Sequence, residues 1–261
     1  MTVTLLITTY NWPEALELVL RSVASQSVLP NEIAIADDGS TKDTDQLILK
    51  LKKEFSIPVK HIWHEDVGFT KTVILNKALQ EIQSDYIIQI DGDVILHKHF
   101  IKDHIRQSEP NTYLFGSRIS LKEEYSKKVL QNKKIKFHWT NTGLLRRSRA
   151  IYLPLFSKFL TKKSNQSSGK LRGCNMSYWR KDAVAINGYN EDLIGWGYED
   201  FNFAQRLLNS GISSKRIKHI ALQFHIYHKE APRGNTELGD KINIETAKNK
   251  ITKCKNGLVK L

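Results

Sequence analysis

Short apolar runs alternate with helical stripes in the first 100 residues, and this alternation restricts the fold more than any other feature. The runs rich in β-branched and apolar residues cover residues 3–9, 32–37, 59–63 and 86–90. Between them, apolar residues recur at helical spacing in residues 16–23, 47–55 and 74–82. Strands that alternate with helices of this length need right-handed crossovers and pair in parallel. The sequence therefore predicts an α/β fold with a mostly parallel, doubly wound sheet. Asn11, a favoured N-cap, and Pro13, which suits a first helical turn, predict where the first helix begins.

The length and composition are those of a folded globular chain. At 261 residues, 40% hydrophobic and 26% charged, the chain fits one large domain and excludes a disordered, collagenous or coiled-coil protein. Its two cysteines are too few for a disulfide framework or a four-thiolate zinc site. Residues 1–10 lack the basic lead-in and cleavage site of a signal peptide, and no window approaches 18 apolar residues. We therefore expect a cytoplasmic protein that is not integral to a membrane.

The excess positive charge is concentrated in one segment, residues 119–170, which we call the basic segment. The whole chain has a formal charge of +13, and the basic segment alone carries 13 basic and 2 acidic residues. Apolar side chains are interleaved with these charges: Phe137, Trp139, Leu144, Leu145, Ile151, Tyr152, Leu153, Leu155, Phe156, Phe159 and Leu160. Such a mixture is expected where a chain lies on an anionic lipid surface, although a solvated basic loop is the alternative. The polar residues 162–169 that close the segment predict a loop.

Polar and acidic residues follow each of the four predicted strands. They occupy residues 8–11, 37–40, 64–66 and 91–93. Any one of these groups is typical of an ordinary turn. In a doubly wound sheet, however, ligands bind in the crevice at the carboxyl ends of the strands. Carboxylates that converge there repel one another unless a cation neutralises them, so the sequence predicts a cation-dependent ligand site at this edge.

Seven short motifs, taken in chain order, resemble the nucleotide-sugar glycosyltransferases of family 2. They are Thr-Thr-Tyr-Asn (8–11), Asp-Asp-Gly-Ser (37–40), Glu-Asp-x-Gly-Phe (65–69), Asp-Gly-Asp (91–93), Gly-x-Asn (173–175), Gly-Trp-Gly-Tyr-Glu-Asp (195–200) and a late His. The resemblance covers roughly residues 3–118 and 172–235. The C-terminal part is similar to galactosyltransferase-type and chondroitin-polymerase-type transferases.

The resemblance implies a GT-A fold and an organisation for the whole chain. A single glycosyltransferase domain would span residues 1–261, with a nucleotide-sugar-binding half (1–118), the basic segment as an insertion (119–170) and an acceptor-binding and catalytic half (171–261). The implied activity is inverting hexosyl transfer from a UDP-sugar donor to a glycan or lipid-linked acceptor, in cell-surface polysaccharide or lipopolysaccharide synthesis. The basic segment would then hold the enzyme peripherally at the inner membrane face.

Donor-binding residues follow from the resemblance, position by position. The implied nucleotide-sugar ligands are Thr8, Tyr10, Asp37, Asp38, Asp66, Lys71 and Asp91. Thr8 and Tyr10 would line the nucleoside pocket. Asp38, with Asp37 as the less favoured choice, would hydrogen-bond the uracil. Asp66 would lie near the nucleotide, Lys71 would reach towards the diphosphate, and Asp91 would face the ribose or a metal-bound water.

A divalent metal ion is implied at Asp93, with one imidazole as a further ligand. A carboxylate, diphosphate oxygens and one nitrogen suit Mn²⁺ or Mg²⁺, and the nitrogen favours Mn²⁺. His225 and His228 are the candidates, and residues three apart on a strand point to opposite faces, so only one is expected to enter the site. The pattern in similar transferases favours His228. We interpret His97 and His99, which follow Asp93 closely, as structural.

Asp200 is the candidate catalytic base, which would take the proton of the acceptor hydroxyl. In the resembling families the preceding Glu, here Glu199, and the Gly-Trp-Gly loop with Trp196 and Gly197 shape the acceptor site. Without that loop, Glu199 and Asp200 would be interpreted as acids that favour a helix N-terminus.

Three other functions compete with glycosyl transfer. A nucleotidyltransferase would share the fold class, but residues 8–12 contain neither the glycine nor the lysine expected of a triphosphate loop. A catalytically inactive sugar-nucleotide-binding module is disfavoured because both Asp-Gly-Asp and Glu-Asp are retained. Nucleic acid is not expected as a partner, because carboxylates around the crevice would repel its backbone.

Overall fold

The computed structural model describes residues 1–195, 197–229 and 236–261, and strands and helices alternate in its first half as predicted. The first-half elements are β1 (Val3–Thr9), α1 (Pro13–Ala24), β2 (Glu32–Asp37), α2 (Lys42–Leu51), a 3₁₀ turn (Lys52–Glu54), β3 (Val59–Trp63), α3 (Lys71–Glu81), β4 (Tyr86–Asp91), β5 (Val94–Leu96) and α4 (Phe100–Gln107). The four predicted strands and three predicted helices are therefore confirmed.

The second half contains shorter elements. They are β6 (Thr112–Phe115), β7 (Ile119–Ser120), α5 (Glu123–Gln131), a 3₁₀ turn (Arg147–Ala150), α6 (Ser157–Leu160), β8 (Lys163–Ser164), a 3₁₀ turn (Gly173–Asn175), β9 (Met176–Trp179), α7 (Arg180–Ala185), α8 (Glu199–Asn209), β10 (Ser213–Arg216), β11 (Gln223–His225) and α9 (Thr236–Lys248). Glu199 opens α8, as the motif preceding it predicts.

An eight-stranded sheet runs in the order β3-β2-β1-β4-β9-β6-β10-β8. The pairs among β3, β2, β1 and β4 are parallel, whereas β9 is antiparallel to both of its neighbours. The register places Thr9 beside Asp37 and Thr8 beside Asp91, so the polar strand ends meet at one edge. A second, three-stranded sheet in the order β5-β11-β7 stands beside that edge. This is a mostly parallel sheet of the kind that the alternation predicts, and it agrees with the GT-A fold that the resemblance implies.

The long apolar strands are buried on both faces, which explains their unbroken hydrophobic runs. Leu5 and Ile7 of β1 pack in one core with α1, whereas Leu6 packs in another with α3. All three side chains have no exposed surface. Each such residue contributes about 1.5–3 kcal/mol of burial free energy. Two packed faces therefore hold the strand ends at fixed positions.

Asn11 does not cap α1, and this prediction is wrong. Trp12 precedes the helix and makes no side-chain cap bond. Asn11 has φ 44°, a left-handed conformation that Asn tolerates better than most residues. Its Oδ1 accepts a hydrogen bond from Thr41 N at 2.8 Å, and its own N donates to Ser40 Oγ at 2.8 Å. Asn11 thus joins the loops that follow β1 and β2.

The basic segment is partly core and partly surface. Leu144 is buried, and Phe137 and Tyr152 pack around it in a cluster that includes Phe224. In and beside α6, three other apolar side chains are exposed: Leu155 (79%), Phe156 (61%) and Phe159 (80%). Part of the polar stretch predicted as a loop is instead strand β8, which pairs with β10. No helix in the described ranges is long and apolar enough to cross a membrane.

Candidate active site

Two cavities meet at the carboxyl ends of β1 and β4. The first, of about 540 Å³, reaches from the ends of these strands to β7 and β11. The second, of about 670 Å³, extends to the start of α8 and to α9. Lys71, Asp91 and Arg118 line both cavities. A molecule in one cavity can therefore reach a molecule in the other across this shared wall.

The first cavity brings together most of the predicted donor ligands. Thr8, Tyr10, Asp38, Lys71 and Asp91 line it. Thr8 Oγ1 donates to Asp91 Oδ1 at 2.8 Å, which joins the ends of β1 and β4. Asp66 is exposed at the rim rather than in the lining, and it accepts a hydrogen bond from the Tyr10 hydroxyl at 3.0 Å.

Asp37 and Asp38 have different surroundings, although they are adjacent. Asp37 is buried, accepts a hydrogen bond from Ser40 N at 2.9 Å, and lies 2.9 Å from His61 Nε2. It is not among the residues that line either cavity, so the structure does not bring it to the site. Asp38 lines the first cavity, where His64 Nε2 lies 2.8 Å from Oδ1 and Thr70 N donates to Oδ2 at 3.0 Å.

Lys71 links the strand ends to the start of α8. Its Nζ lies 3.1 Å from Asp91 Oδ1 and 3.3 Å from Glu199 Oε1. Burial alone lowers the pKa of this ammonium, but Asp91 and Glu199 outweigh burial and hold the pKa well above its ordinary value. The ammonium is therefore charged and engaged by two carboxylates. A contact with diphosphate, which the resemblance implies, stays a prediction.

Asp200 lies in the wall of the second cavity with one oxygen held and one free. Gly173 N donates to Oδ2 at 2.8 Å, whereas the buried Oδ1 finds no partner in the described part of the chain. A Cβ on Gly173 would lie 2.0 Å from Oδ1, so only glycine fits there. Burial and the neighbouring Glu199 carboxylate raise the pKa of Asp200. Such a carboxyl group is suited to accept a proton near neutral pH.

Two of the predicted acceptor-site residues lie beside Asp200. Glu199 is buried, and its Oε2 accepts a hydrogen bond from Gly197 N at 3.1 Å. Gly197 has φ 107°, a conformation that favours glycine, and it lines the second cavity. The third residue, Trp196, lies outside the described residues.

Asp93, His225 and His228 form a cluster in which both histidines contact the same carboxylate. His225 Nε2 lies 3.3 Å and His228 Nε2 3.0 Å from Asp93 Oδ2. The prediction that only one histidine enters the site is wrong. Strand β11 ends at His225, so the alternation of faces does not extend to His228.

The cluster fits a divalent metal ion. One ligand atom from each residue lies within 4.8 Å of the others, and Asp93 Oδ1 is buried without a partner among the described residues. Burial raises the pKa of Asp93, but hydrogen bonds from His225 and His228 outweigh it and lower the pKa below its ordinary value. A carboxylate with two imidazoles suits a transition ion such as Mn²⁺ better than Mg²⁺.

Arg118 is a residue of the site that the sequence analysis did not predict. Arg118 lines both cavities, but it belongs to none of the sequence motifs. The sequence signal nearest to it is the end of the strand-helix alternation, just after Arg118.

His97 and His99 pack against the Tyr152 ring, with ring centroids 4.6 Å and 5.6 Å away, and neither histidine lines either of the two cavities. This agrees with a structural role for both histidines.

Two protein-family models match the chain. The model described as glycosyl transferase family 2 matches residues 4–182. The model described as the N-terminal domain of galactosyltransferase matches residues 154–229. Together they span residues 4–229, which include Asp93, Asp200 and both histidines of the cluster, whereas the α9 residues that line the second cavity lie beyond them.

Individual relatives are similar at low identity. A hyaluronan synthase of Pasteurella multocida is 22% identical over 266 residues, which is 95% of this chain but 27% of that protein. The chain thus spans about a quarter of this relative's length. A crystal structure of S. aureus TarS 1–349 in complex with UDP-GlcNAc has a TM-score of 0.59 at 16% identity, covering 96% of this chain and 69% of that one.

A second solved structure has the same fold. The mannosyltransferase PcManGT from Pyrobaculum calidifontis, in complex with GDP-Man and Mn²⁺, has a TM-score of 0.57 at 15% identity. It covers 88% of this chain and 58% of the mannosyltransferase. At these identities the two structural neighbours establish the fold alone.

Proposed function

The chain belongs to glycosyl transferase family 2, and we propose that it is a metal-dependent, inverting hexosyltransferase that uses a UDP-sugar. The acceptor is a glycan or lipid-linked glycan of cell-surface polysaccharide or lipopolysaccharide synthesis. One observation carries the proposal: a metal-type cluster at Asp93 and an uncompensated carboxylate at Asp200 line two cavities that share a wall. A donor in one cavity thereby faces an acceptor in the other.

In this proposal the first cavity binds the donor. Thr8, Tyr10 and Asp66 surround the nucleoside, Asp91 faces the ribose, and Asp38 accepts the uracil N–H. Asp38 is suited to this role because it lines the cavity, while His64 and Thr70 hold its carboxylate in one orientation. Asp93, His225 and His228 would hold Mn²⁺ or Mg²⁺, which would supply positive charge for the leaving diphosphate.

The second cavity binds the acceptor. Asp200 removes the hydroxyl proton as the acceptor oxygen attacks the anomeric carbon from the face opposite the diphosphate. Glu199 and Gly197 shape the acceptor site, and Lys71 keeps Glu199 and Asp91 in place through its two ion pairs. Asp200 Oδ1, for which the described residues offer no hydrogen-bond partner, is the atom available to receive the proton.

One experiment tests the activity before any acceptor is known. The protein is incubated with Mn²⁺ and a panel of UDP-sugars, and slow UDP release is followed for each. We expect hydrolysis of one donor above the rest. Nucleotide binding without UDP release from any donor would favour an inactive binding module, and pyrophosphate release from UTP with a sugar phosphate would favour a nucleotidyltransferase.

Asp38→Ala is expected to weaken UDP binding about 10-fold or more, because the uracil loses its hydrogen-bond acceptor and the cavity loses an oriented carboxylate. Calorimetry with UDP and Mn²⁺ measures this. Asp37→Ala is unsuitable as a control because Asp37 holds the turn after β2. Asp43→Ala, an exposed change in α2, should leave the affinity unchanged. Unchanged UDP affinity in Asp38→Ala would remove Asp38 from the nucleoside pocket.

We further propose that the basic segment holds the enzyme at an anionic membrane surface. Three exposed apolar side chains, Leu155, Phe156 and Phe159, lie within a segment of net charge +11 whose Arg146 and Arg147 are also exposed. Each basic residue near an anionic surface contributes roughly 1 kcal/mol, and salt screens that attraction. Apolar side chains and positive charge together match an anionic lipid interface.

Vesicle co-sedimentation tests this attachment. The protein should sediment with phosphatidylglycerol-containing vesicles at low salt but not with neutral vesicles. Replacing Arg146, Arg147 and Arg149 with Ser should reduce the bound fraction several-fold and leave UDP affinity unchanged. Replacing the exposed Lys50, Lys52 and Lys53 with Ser is the matched control and should change little. Equal sedimentation with both vesicle types would return the basic segment to a solvated surface.

A further inference from the structure

Arg118 lies where the two cavities meet, on backbone that is hydrogen-bonded on both sides. On its C-terminal side, β7 pairs with β11 so that Ser120 is beside His225. On its N-terminal side, Asn175 Nδ2 donates to Ser117 O at 3.1 Å. The Arg118 side chain therefore extends from a fixed position, next to the sheet that carries the metal cluster.

Arg118 is also a cation without a carboxylate partner. Lys71, the other cation that lines both cavities, is within 3.3 Å of two carboxylates. Among residues 1–195, 197–229 and 236–261, by contrast, the Arg118 guanidinium makes neither an ion pair nor a hydrogen bond. Arg118 is half-buried, and an anion that binds beside a half-buried cation offsets the free-energy cost of removing the cation from water. The positive charge of Arg118 therefore favours binding of a negatively charged group where the two cavities meet.

The residues that line the two cavities indicate where this anion would lie. Cys174 is buried in the wall of the second cavity. Burial raises the pKa of its thiol, Asp91 raises it further, and Arg118 opposes the rise, with smaller contributions from Asp93 and Asp200. Asp93 lines the first cavity, Asp200 lines the second, and Arg118 lines both. An anion bound by Arg118 would therefore lie at the wall that the two cavities share.

We infer that Arg118 binds the β-phosphate of the donor and remains bound to it as the leaving group. The inference rests on the proposed function, in which the diphosphate lies in the first cavity and the reacting carbon at the shared wall. The oxygen that joins the two belongs to the β-phosphate, so it lies at the junction. A guanidinium offers a planar fork of N–H donors that matches two phosphate oxygens.

The transfer step explains why a cation is needed there. The acceptor oxygen forms a bond to the anomeric carbon while the bond from that carbon to the β-phosphate oxygen breaks. The electron pair stays on the phosphate oxygen, and the hydroxyl proton passes to Asp200. Negative charge on the β-phosphate grows during this step, so Arg118 binds the transition state more tightly than the bound donor. Arg118 is therefore a catalytic residue for the leaving group.

Nucleotide titrations separate this role from a structural one. UDP and UMP are titrated by calorimetry into the wild-type protein, Arg118→Ala and Arg118→Lys, with Mn²⁺ and again in EDTA. Arg118→Ala should lose at least about 10-fold in UDP affinity under both conditions and keep its UMP affinity, because UMP has no β-phosphate. The UDP affinity of Arg118→Lys should lie between the affinities of the wild-type protein and Arg118→Ala. Arg106→Ala, which removes an exposed arginine of α4 outside both cavities, is the matched control.

A second measurement follows the transfer itself. At saturating donor, Arg118→Ala should lower kcat by about 10²–10³-fold, the effect of removing one donor that stabilises developing charge. Equal losses of UMP and UDP affinity would overturn the inference, as would unchanged UDP affinity with a defect confined to acidic acceptors. Wild-type protein that fails to bind UDP at all would instead contradict the proposed function.

Discussion

Asp200→Asn is expected to lower kcat by about 10²–10⁴-fold, because an amide cannot accept the proton of the acceptor hydroxyl. The replacement preserves shape, and an amide oxygen can still accept the hydrogen bond from Gly173 N that holds Oδ2. UDP affinity should therefore stay near the wild-type value. Transfer kinetics at saturating donor and acceptor measure the first effect, and calorimetry with UDP and Mn²⁺ measures the second. Asp43→Asn, an exposed change in α2, is the matched control.

The pH dependence of kcat provides a second measurement of the same prediction. Burial, and then the Glu199 carboxylate, raise the pKa of Asp200 to about 7, while Lys71 opposes the rise. The base works only when ionised, so kcat should fall as the pH drops through about 7 and level off above it. Glu199→Gln removes the repulsion between the carboxylates and should move this acid limb to lower pH. Asp200→Asn should abolish the limb.

Two results would contradict this assignment. If Asp200→Asn lost UDP affinity as badly as Asp38→Ala, Asp200 would be a structural or donor-binding residue. If Asp200→Asn kept most of its activity at pH 8, another group would be the base. The two failures are distinguishable because the first changes calorimetry and the second does not.

Metal chelation is expected to abolish transfer, and Asp93→Ala should lower kcat by about 10²-fold or more at standard Mn²⁺ concentrations. Asp93 is the carboxylate that both histidines contact, so its loss removes the centre of the cluster. His225→Ala and His228→Ala should each weaken Mn²⁺ binding, because each imidazole lies within 3.3 Å of the same oxygen. Mn²⁺ titration followed by electron paramagnetic resonance measures binding independently of activity.

His97→Ala is the control for the metal experiment, since His97 packs on Tyr152 and lines neither cavity. It should change neither Mn²⁺ affinity nor kcat. Full activity in excess EDTA would exclude the metal. A silent His225→Ala beside an inactive His228→Ala would restore the single ligand that the sequence pattern favours, and the reverse result would make His225 the ligand.

The predicted strands and helices could be read from sequence because burial imposes a local period on apolar residues. The bounds of β1, β2 and β3 match the predicted runs, since each strand is an apolar stretch that ends at polar residues. The polar residues at the strand ends indicated the site for a different reason. Parallel pairing in a fixed register brings Thr8 to Asp91 and Thr9 to Asp37, so residues 28 or more positions apart in the chain share one edge.

Predictions from local sequence were wrong where a side chain contacts a residue that is distant in the chain. Asn11 has the side chain of a helix cap, but Thr41 N takes its Oδ1 and removes it from the helix. The apolar residues of the basic segment look alike in sequence, yet Leu144 is buried and Phe159 is 80% exposed. Leu144 is buried because it packs in a cluster with residues of α1 and β11. These elements lie outside the basic segment, so the sequence of the segment alone does not predict which of its side chains are buried.

The α/β architecture, the sheet edge at which the cavities lie and the acidic residues at that edge could be predicted from the sequence, because the apolar period that marks a strand or a helix is local and parallel strands end at one edge. Three features could be seen only in the folded chain: His225 joins His228 at Asp93, Asp91 and Glu199 hold Lys71, and Arg118 has no ion pair within the described parts of the chain. These outcomes depend on distances between side chains from separate elements. Such distances are set when the two sheets and α8 pack together, and no periodicity within one segment carries them.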